Sequence, residues 1–393
     1  MKFAELTHRQ LQYIAFTLWA ATGITVAIFI LTSPGTRTVT PIFWEASKHW
    51  IQGKDIYSAN GIGFLYFPHS AILQIPFTSI PFVVAELLWR FIGLGLCGYA
   101  CRLLADQLPT MSKQSAFLTI SLFTIPLLWE SLRNGQMNVI VTATLTIVAV
   151  LVAQDKIKKA VLVCILGLAM KPYLAVPLLL IIGVFPRRTI SISIAGLTLL
   201  FVAPFFFQSP DYVLRQYAAC IDSLKVSMTR GQDLYYAYLF GMLKVFTLSI
   251  SSLAQFVVSI IAAMGIYGVS LYAERKSGKR LQTAMMMLLL STSYILLFSS
   301  RTENNTFCLI APFIGYLFFI TPAFAFAHTY GLRTLIIISF IAMLGSYEIG
   351  KHFTGTAKAV WLAPLGLIVF TTVAMYVLWN EITKPKRPKG SVL

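Results

Sequence analysis

The sequence reads as an all-α polytopic membrane protein, and three observations carry that reading. Of its 393 residues 57% are hydrophobic and only 11% charged, with a mean hydropathy of +0.76, which no ordinary soluble domain tolerates. The apolar runs are long and unbroken, so helices and not alternating barrel strands would cross the bilayer. The formal net charge of +17 lies in short Lys/Arg clusters between those runs, as the positive-inside rule expects. That distribution argues for a membrane and against a nucleic-acid partner. The five cysteines, at 97, 101, 164, 220 and 308, show neither metal nor disulfide spacing and read as small packing residues.

The run Leu11–Leu31 has no small-x-small cleavage site and predicts an uncleaved first span, its Lys2 and Arg9 end in the cytoplasm. Residues 33–81 then form a first extracytoplasmic loop. Within it Phe64–Pro81 is apolar, but three prolines, His69 and Gln74 interrupt it, and it falls short of the ~20 residues a span needs. It reads as aromatic helices lying in the interface. The second span, Phe82–Leu104, returns inward. The third, Ser115–Trp129, reaches Glu130–Gln136 outside, and the fourth, Met137–Val152, comes back to the basic loop Asp155–Lys159.

Ala160–Phe185 is short for two spans, yet Lys158/Lys159 and Arg187/Arg188 flank it and both belong in the cytoplasm. A hairpin of two short helices turning at Met170–Tyr173 satisfies both flanks, because Pro172 disfavours helix through Lys171. A single long span is the competing reading. Ile190–Phe207 leads out to a second extracytoplasmic segment, 208–248, amphipathic and rich in tyrosine. Ser251–Tyr272, Leu281–Phe298, Thr306–Phe326, Thr334–Ser346 and Val360–Trp379 bring the count to about twelve spans. Residues 381–393 form a basic cytoplasmic tail. The whole chain, 1–393, is one integral membrane domain without internal repeat, both termini cytoplasmic.

This topology sends the polar motifs to one face and the basic clusters to the other. Several cations with few carboxylates, at a lipid–water boundary, suit a ligand held by its phosphate: Arg133, Lys171 and Arg301 stand at the mouths of separate helix pairs. Asn134, Gln136, Asn304 and Asn305 add the donors and acceptors that sugar hydroxyls need. Tyr66 and Tyr173, with Trp44, Trp50 and Tyr57, offer faces to sugar rings or prenyl chains. Plainer roles exist for most of these. The aromatics read more naturally as interface anchors, Arg133 equally as a snorkelling helix end, and Arg301 with Glu303 equally as a structural ion pair. His69 reads more naturally as a hydrogen-bonded residue than as a base. No carboxylate or histidine cluster has metal-ligand spacing, so neither metal nor cofactor is expected.

Six pieces of sequence resemble glycosyltransferase family 87, the DUF2029-type membrane enzymes of the GT-C fold. They are Ala46-Ser47 with Gly53–Tyr57, Phe64–Pro68, Leu88–Arg90, Arg133–Asn138, Gly167–Pro172 and Ser300–Asn305, and they follow the family's order over most of the chain. The resemblance implies a GT-C-like enzyme that moves a hexose or pentose from a polyprenyl-phosphate donor to a glycan or glycolipid acceptor. Its site would face out of a bacterial inner membrane, among membrane lipids. Enzymes of this kind usually carry an Asp just after the first span as the presumed base. Here that place is Val39-Thr40-Pro41, and Glu45, Asp55 and Glu303 are the carboxylates left for proton removal. A non-catalytic lipid-phosphate binder or flippase is the rival class: it would keep the cations and dispense with the base.

Overall fold

The computed structural model describes residues 7–58, 63–109, 113–231, 235–276, 278–321 and 327–383; Lys2 and the tail from Lys384 onward lie outside them. Among the described residues the chain forms seventeen α-helices and no strand. The first is α1 (His8–Thr32), opened by a Thr7/Gln10 capping box. Two short helices follow, α2 (Thr40–Ile51) and α3 (Pro68–Thr78), then α4 (Phe82–Ala105), α5 (Lys113–Arg133) and α6 (Asn138–Ala153). Next come α7 (Ile157–Met170), α8 (Ala175–Val184) and α9 (Pro186–Val202), with α10 (Pro210–Gly231) and α11 (Leu239–Val245) after them. The chain ends with α12 (Ser252–Lys276), α13 (Arg280–Phe298), α14 (Ala311–Ile320), α15 (Ala327–Leu344), α16 (Ser346–Thr354) and α17 (Leu362–Thr383).

Seven helices are long and apolar enough to cross a membrane: α1, α4, α5, α9 with the turn after it, α12, α13 and α17. In α12 only 11% of the apolar window is buried by protein, a surface that lipid covers and water would not. The pair α15–α16 is bent by 77°, and the helical pieces Asn138–Ala153, Pro172–Val184 and Asn304–Ile320 are apolar but short. The expected count of about twelve is reached only if that bent pair, α7 and these short pieces also cross. The core is built where small residues let helices close. A Cβ on Gly315 would sit 2.6 Å from the Ile120 backbone, so α14 packs directly on α5 only because that Cβ is missing.

Contacts fix which helix ends lie together. At one end Asp155 bonds Arg188 at 2.7 Å and pairs with Arg280, Gln154 reaches Gln107, and Lys279 bonds the Glu381 carbonyl. The chain therefore leaves this end in α7 and is back beside it at the start of α9. That geometry selects the hairpin over the single long span. Its turn is where the proline requires it: Lys171 is extended (φ −151°, ψ 133°), which Pro172 favours in the residue before it.

At the opposite end the rings of Phe29 and Trp129 meet at 6.0 Å and the Arg133 guanidinium lies 4.9 Å over Phe29. Arg90, in the first half of α4, donates to the Arg133 carbonyl at 3.2 Å. Hence α1 arrives and α4 departs at one and the same end. Between them α3, with 11 residues and about 16 Å of length, is too short to span a bilayer core. It packs against α2, where Ser47 donates to the Ala71 carbonyl at 2.7 Å. The amphipathic α10 docks on the same segment: Gln216 donates to Asp55 at 2.8 Å and Tyr212 to the Lys54 carbonyl at 2.6 Å.

Candidate active site

The turn between α5 and α6 is the hub of this end. Gly135, at φ +65°, sits in the left-handed region and closes a Schellman cap, with Gln136 N–H donating to the Ser131 carbonyl at 2.9 Å and Gly135 N–H to Leu132 at 3.2 Å. The cap turns the chain so that Gln136 and Asn138 face the same space. A Cβ on Gly135 would lie 2.2 Å from the Arg90 guanidinium, so the turn also has to be glycine for Arg90 to lie across it.

Four separate elements supply the polar network around this hub. Lys171, at the break between α7 and α8, donates to the Asn138 amide oxygen at 2.5 Å, and its ammonium lies 4.3 Å from the centre of the Tyr173 ring. Asn138 in turn donates to Gln136 at 2.7 Å and to Asn305 at 3.2 Å. Glu303 accepts from Asn305 at 3.0 Å and, more weakly, from Gln136 at 3.4 Å. Tyr66 comes to this group from the first loop: burial raises its phenol above the usual range, and the nearby Lys171 charge works against that rise. The sequence-predicted Lys171, Gln136, Glu303 and Tyr66 are thus brought together.

The other predicted residues fall outside that network or at its border. Arg301 forms no ion pair with Glu303; its guanidinium bonds Ser227 and, at 3.0 Å, the Tyr236 hydroxyl, which ties the 208–248 segment to the site. Arg133, Asn134 and Asn304 line a neighbouring cavity of about 730 Å³. Asp55 is spent on Gln216 of α10, and Glu45 lies on the exposed face of α2 in a groove with Lys48 and His49. His69 is not the hydrogen-bonded residue expected. It is buried between Phe67 and Phe201 with neither ring nitrogen bonded, and burial pushes its pKa down to about 4.

Three residues that the sequence reading did not assign stand out. Glu86 and Arg90 form an ion pair at 2.6 Å, both almost fully buried, and Thr38 donates to the Glu86 carboxylate at 3.2 Å, as does Thr40. Arg90 also donates to the Thr38 hydroxyl at 2.9 Å, so the pair clamps the start of the first loop to the α5–α6 turn. A carboxylate with an Arg four residues later inside an apolar span was the legible signal. The third is Asn138, which the sequence showed as the end of the Arg133–Asn138 piece without assigning it a role.

The sequence profile of glycosyltransferase family 87 matches residues 64–300, more than half of the chain. The chain belongs to glycosyltransferase family 87. It is accordingly a membrane glycosyltransferase with a sugar donor and an acceptor, and the six sequence pieces that resemble the family are the ones that meet at this end. No curated protein sequence matches this family-87 chain. The matched span holds Tyr66, the α5–α6 turn and Lys171, and stops just short of Arg301 and Glu303. Family 87 membership thus covers three of the four elements that build the polar network.

Proposed function

We propose that this family-87 protein transfers a hexosyl or pentosyl unit from a polyprenyl-phosphate donor to a glycan or glycolipid acceptor on the outer face of a bacterial inner membrane. The positive-inside rule supports the sidedness, since the basic loops gather at the end carrying Asp155, Arg188 and Arg280. The single observation that carries the donor assignment is the state of Lys171. Its hydrogen-bond partner is a neutral amide, and it forms no ion pair among the described residues. Such a cation at a lipid boundary attracts an anion, and a prenyl phosphate brings one with an apolar tail attached.

In this reading Lys171 stabilises the phosphate as it leaves, where preorganised positive charge contributes most. Arg301 holds the 208–248 segment beside it and adds long-range charge, and Arg133 does the same from the cavity side. Gln136, Asn134 and Asn304 orient sugar hydroxyls, with Tyr66 and Tyr173 as ring faces. His69 fixes the aromatic packing behind Tyr66. Of the three carboxylates suggested by sequence, Glu303 alone sits in the Lys171 network; Glu45 and Asp55 serve α2 and α10. The test is Lys171→Ala in purified protein supplied with a prenyl-phosphate sugar. Transfer should fall by at least about 100-fold while folded protein remains abundant. Near-wild-type turnover would remove Lys171 from the site, and transbilayer movement of the donor without transfer would favour the flippase class.

A further inference from the structure

Resting on the sugar-transfer reading, we propose that Glu130 is the base that takes the proton from the acceptor hydroxyl, and that the cavity it lines seats a neutral sugar acceptor. The cavity, about 730 Å³, lies in the size range of small-molecule sites, roughly 300–1,000 Å³. Its charges balance locally: Arg37 and Arg133 face it with Glu130 and Glu348. A pocket built that way does not select an anion, unlike the Lys171 side. Its amides, Asn134 and Asn304, and its rings, Trp129 and Tyr347, are the groups that recognise hydroxyls and the apolar face of a sugar.

Two observations join the cavity to the donor side. Asn305 lines it and also bonds Asn138 and Glu303, so one side chain borders both the cavity and the Lys171 network. Glu130 is close enough to Glu303 for the two carboxylates to repel one another. What distinguishes Glu130 from the other carboxylates around the cavity and the Lys171 network is that its oxygens are uncommitted. Glu45 is also without a hydrogen bond or ion pair among the described residues, but it opens on the separate groove with Lys48 and His49. Glu86 is held by Arg90, Thr38 and Thr40, Glu303 by Asn305 and Gln136, Asp55 by Gln216 and Glu348 by Lys351. The Glu130 carboxylate has no hydrogen bond or ion pair among the described residues, and it opens on the cavity. A base needs a free lone pair within reach of the proton, and of the two carboxylates that line this cavity Glu130 is the one that offers it.

The step balances as an inverting transfer. The acceptor oxygen attacks the anomeric carbon, the carbon–oxygen bond to phosphate breaks, and the electron pair leaves with the prenyl phosphate beside Lys171. The hydroxyl proton passes to Glu130 and from there to water.

The experiment uses the full chain in nanodiscs, with a pairwise panel of farnesyl-phosphate hexoses and pentoses as donors and octyl hexosides as acceptors. Expected for Glu130→Gln is a drop in kcat of about 100-fold or more, donor KM within about threefold and the wild-type Tm, with partial recovery in Glu130→Asp. The acid limb of the wild-type pH profile should vanish from the residual activity of Glu130→Gln and persist in Glu303→Gln. Turnover of Glu130→Gln within threefold of wild type, with Lys171→Ala inactive, overturns the assignment of Glu130 and leaves sugar transfer standing. So does a residual activity that keeps the wild-type acid limb, since another group then titrates. If the wild-type protein turns over no pair in the panel, the transfer reading and this inference fall together.

Discussion

Two cations face the same end of the bundle, and they are handled in opposite ways. Arg90 is buried at 3% exposure against Glu86, its charge cancelled at 2.6 Å, with Thr38 closing one side and the Arg133 carbonyl another. Lys171 is half-buried and meets only neutral groups, the amide oxygen of Asn138 and the face of the Tyr173 ring; behind Asn138 stand Gln136, Asn305 and finally a partly solvated Glu303. The first arrangement spends its ionic groups on holding the backbone of the first loop to the α5–α6 turn. The second leaves a positive charge unmatched at short range. A charge neutralised by its own chain serves the fold, whereas one surrounded by neutral dipoles remains available to a ligand.

The comparison can be broken most severely at Arg90. Arg90→Met strands Glu86 in the interior and should cost roughly 3–5 kcal/mol of stability, read as a lowered Tm in detergent. Restoring much of that loss with Glu86→Gln on top would confirm that the stranded carboxylate, and not lost packing, is the cause. His69 sharpens the comparison from the aromatic side. Its folded-state pKa of about 4 lies below the ordinary value of 6.5. The unfolded chain then binds the extra proton between those values, so stability is full above pH 6.5 and falls as pH drops towards 4, by about 3 kcal/mol over the window. Acid scans of Tm should show that slope, and His69→Leu, which leaves no bonded partner behind, should flatten it.

Smaller effects separate function from fold. Glu303→Gln keeps an acceptor for Asn305 but weakens a charge-assisted bond, and it should lower transfer about tenfold with little change in Tm. At the far end, Asp155 is held down to about 2 by its bond to Arg188, yet the pair is solvent-screened. Asp155→Asn should therefore shift stability by less than about 1 kcal/mol and leave transfer untouched. A large activity loss there would contradict the assignment of the two ends.

Much of this was legible in the chain because membranes impose few rules and enforce them strictly. Unbroken apolar runs fix helices, since lipid offers backbone amides no other partner. Pro172 places the break at Lys171, and the paired basic flanks of Ala160–Phe185 favour a chain that turns back there, a choice over the single long span that the contacts of Asp155 with Arg188 and Arg280 settle. The glycine of Arg133–Gln136 marks the left-handed cap that aims Gln136 and Asn138. Tertiary structure decided what Lys171 meets and what closes around the Glu86–Arg90 pair. Arg90 and Lys171 carry the same charge in similarly apolar surroundings along the sequence. Helix geometry already sets Glu86 one turn from Arg90, whereas packing brings Thr38 to that pair and an amide from α6 to Lys171. Packing also decided that Asp55 is consumed by α10, that His69 sits between the Phe67 and Phe201 rings instead of bonding, and that Glu130 is left with open lone pairs. Hydrogen bonding and ion pairing act over a few ångströms, and residues tens to hundreds of positions apart reach that range only once the helices have closed.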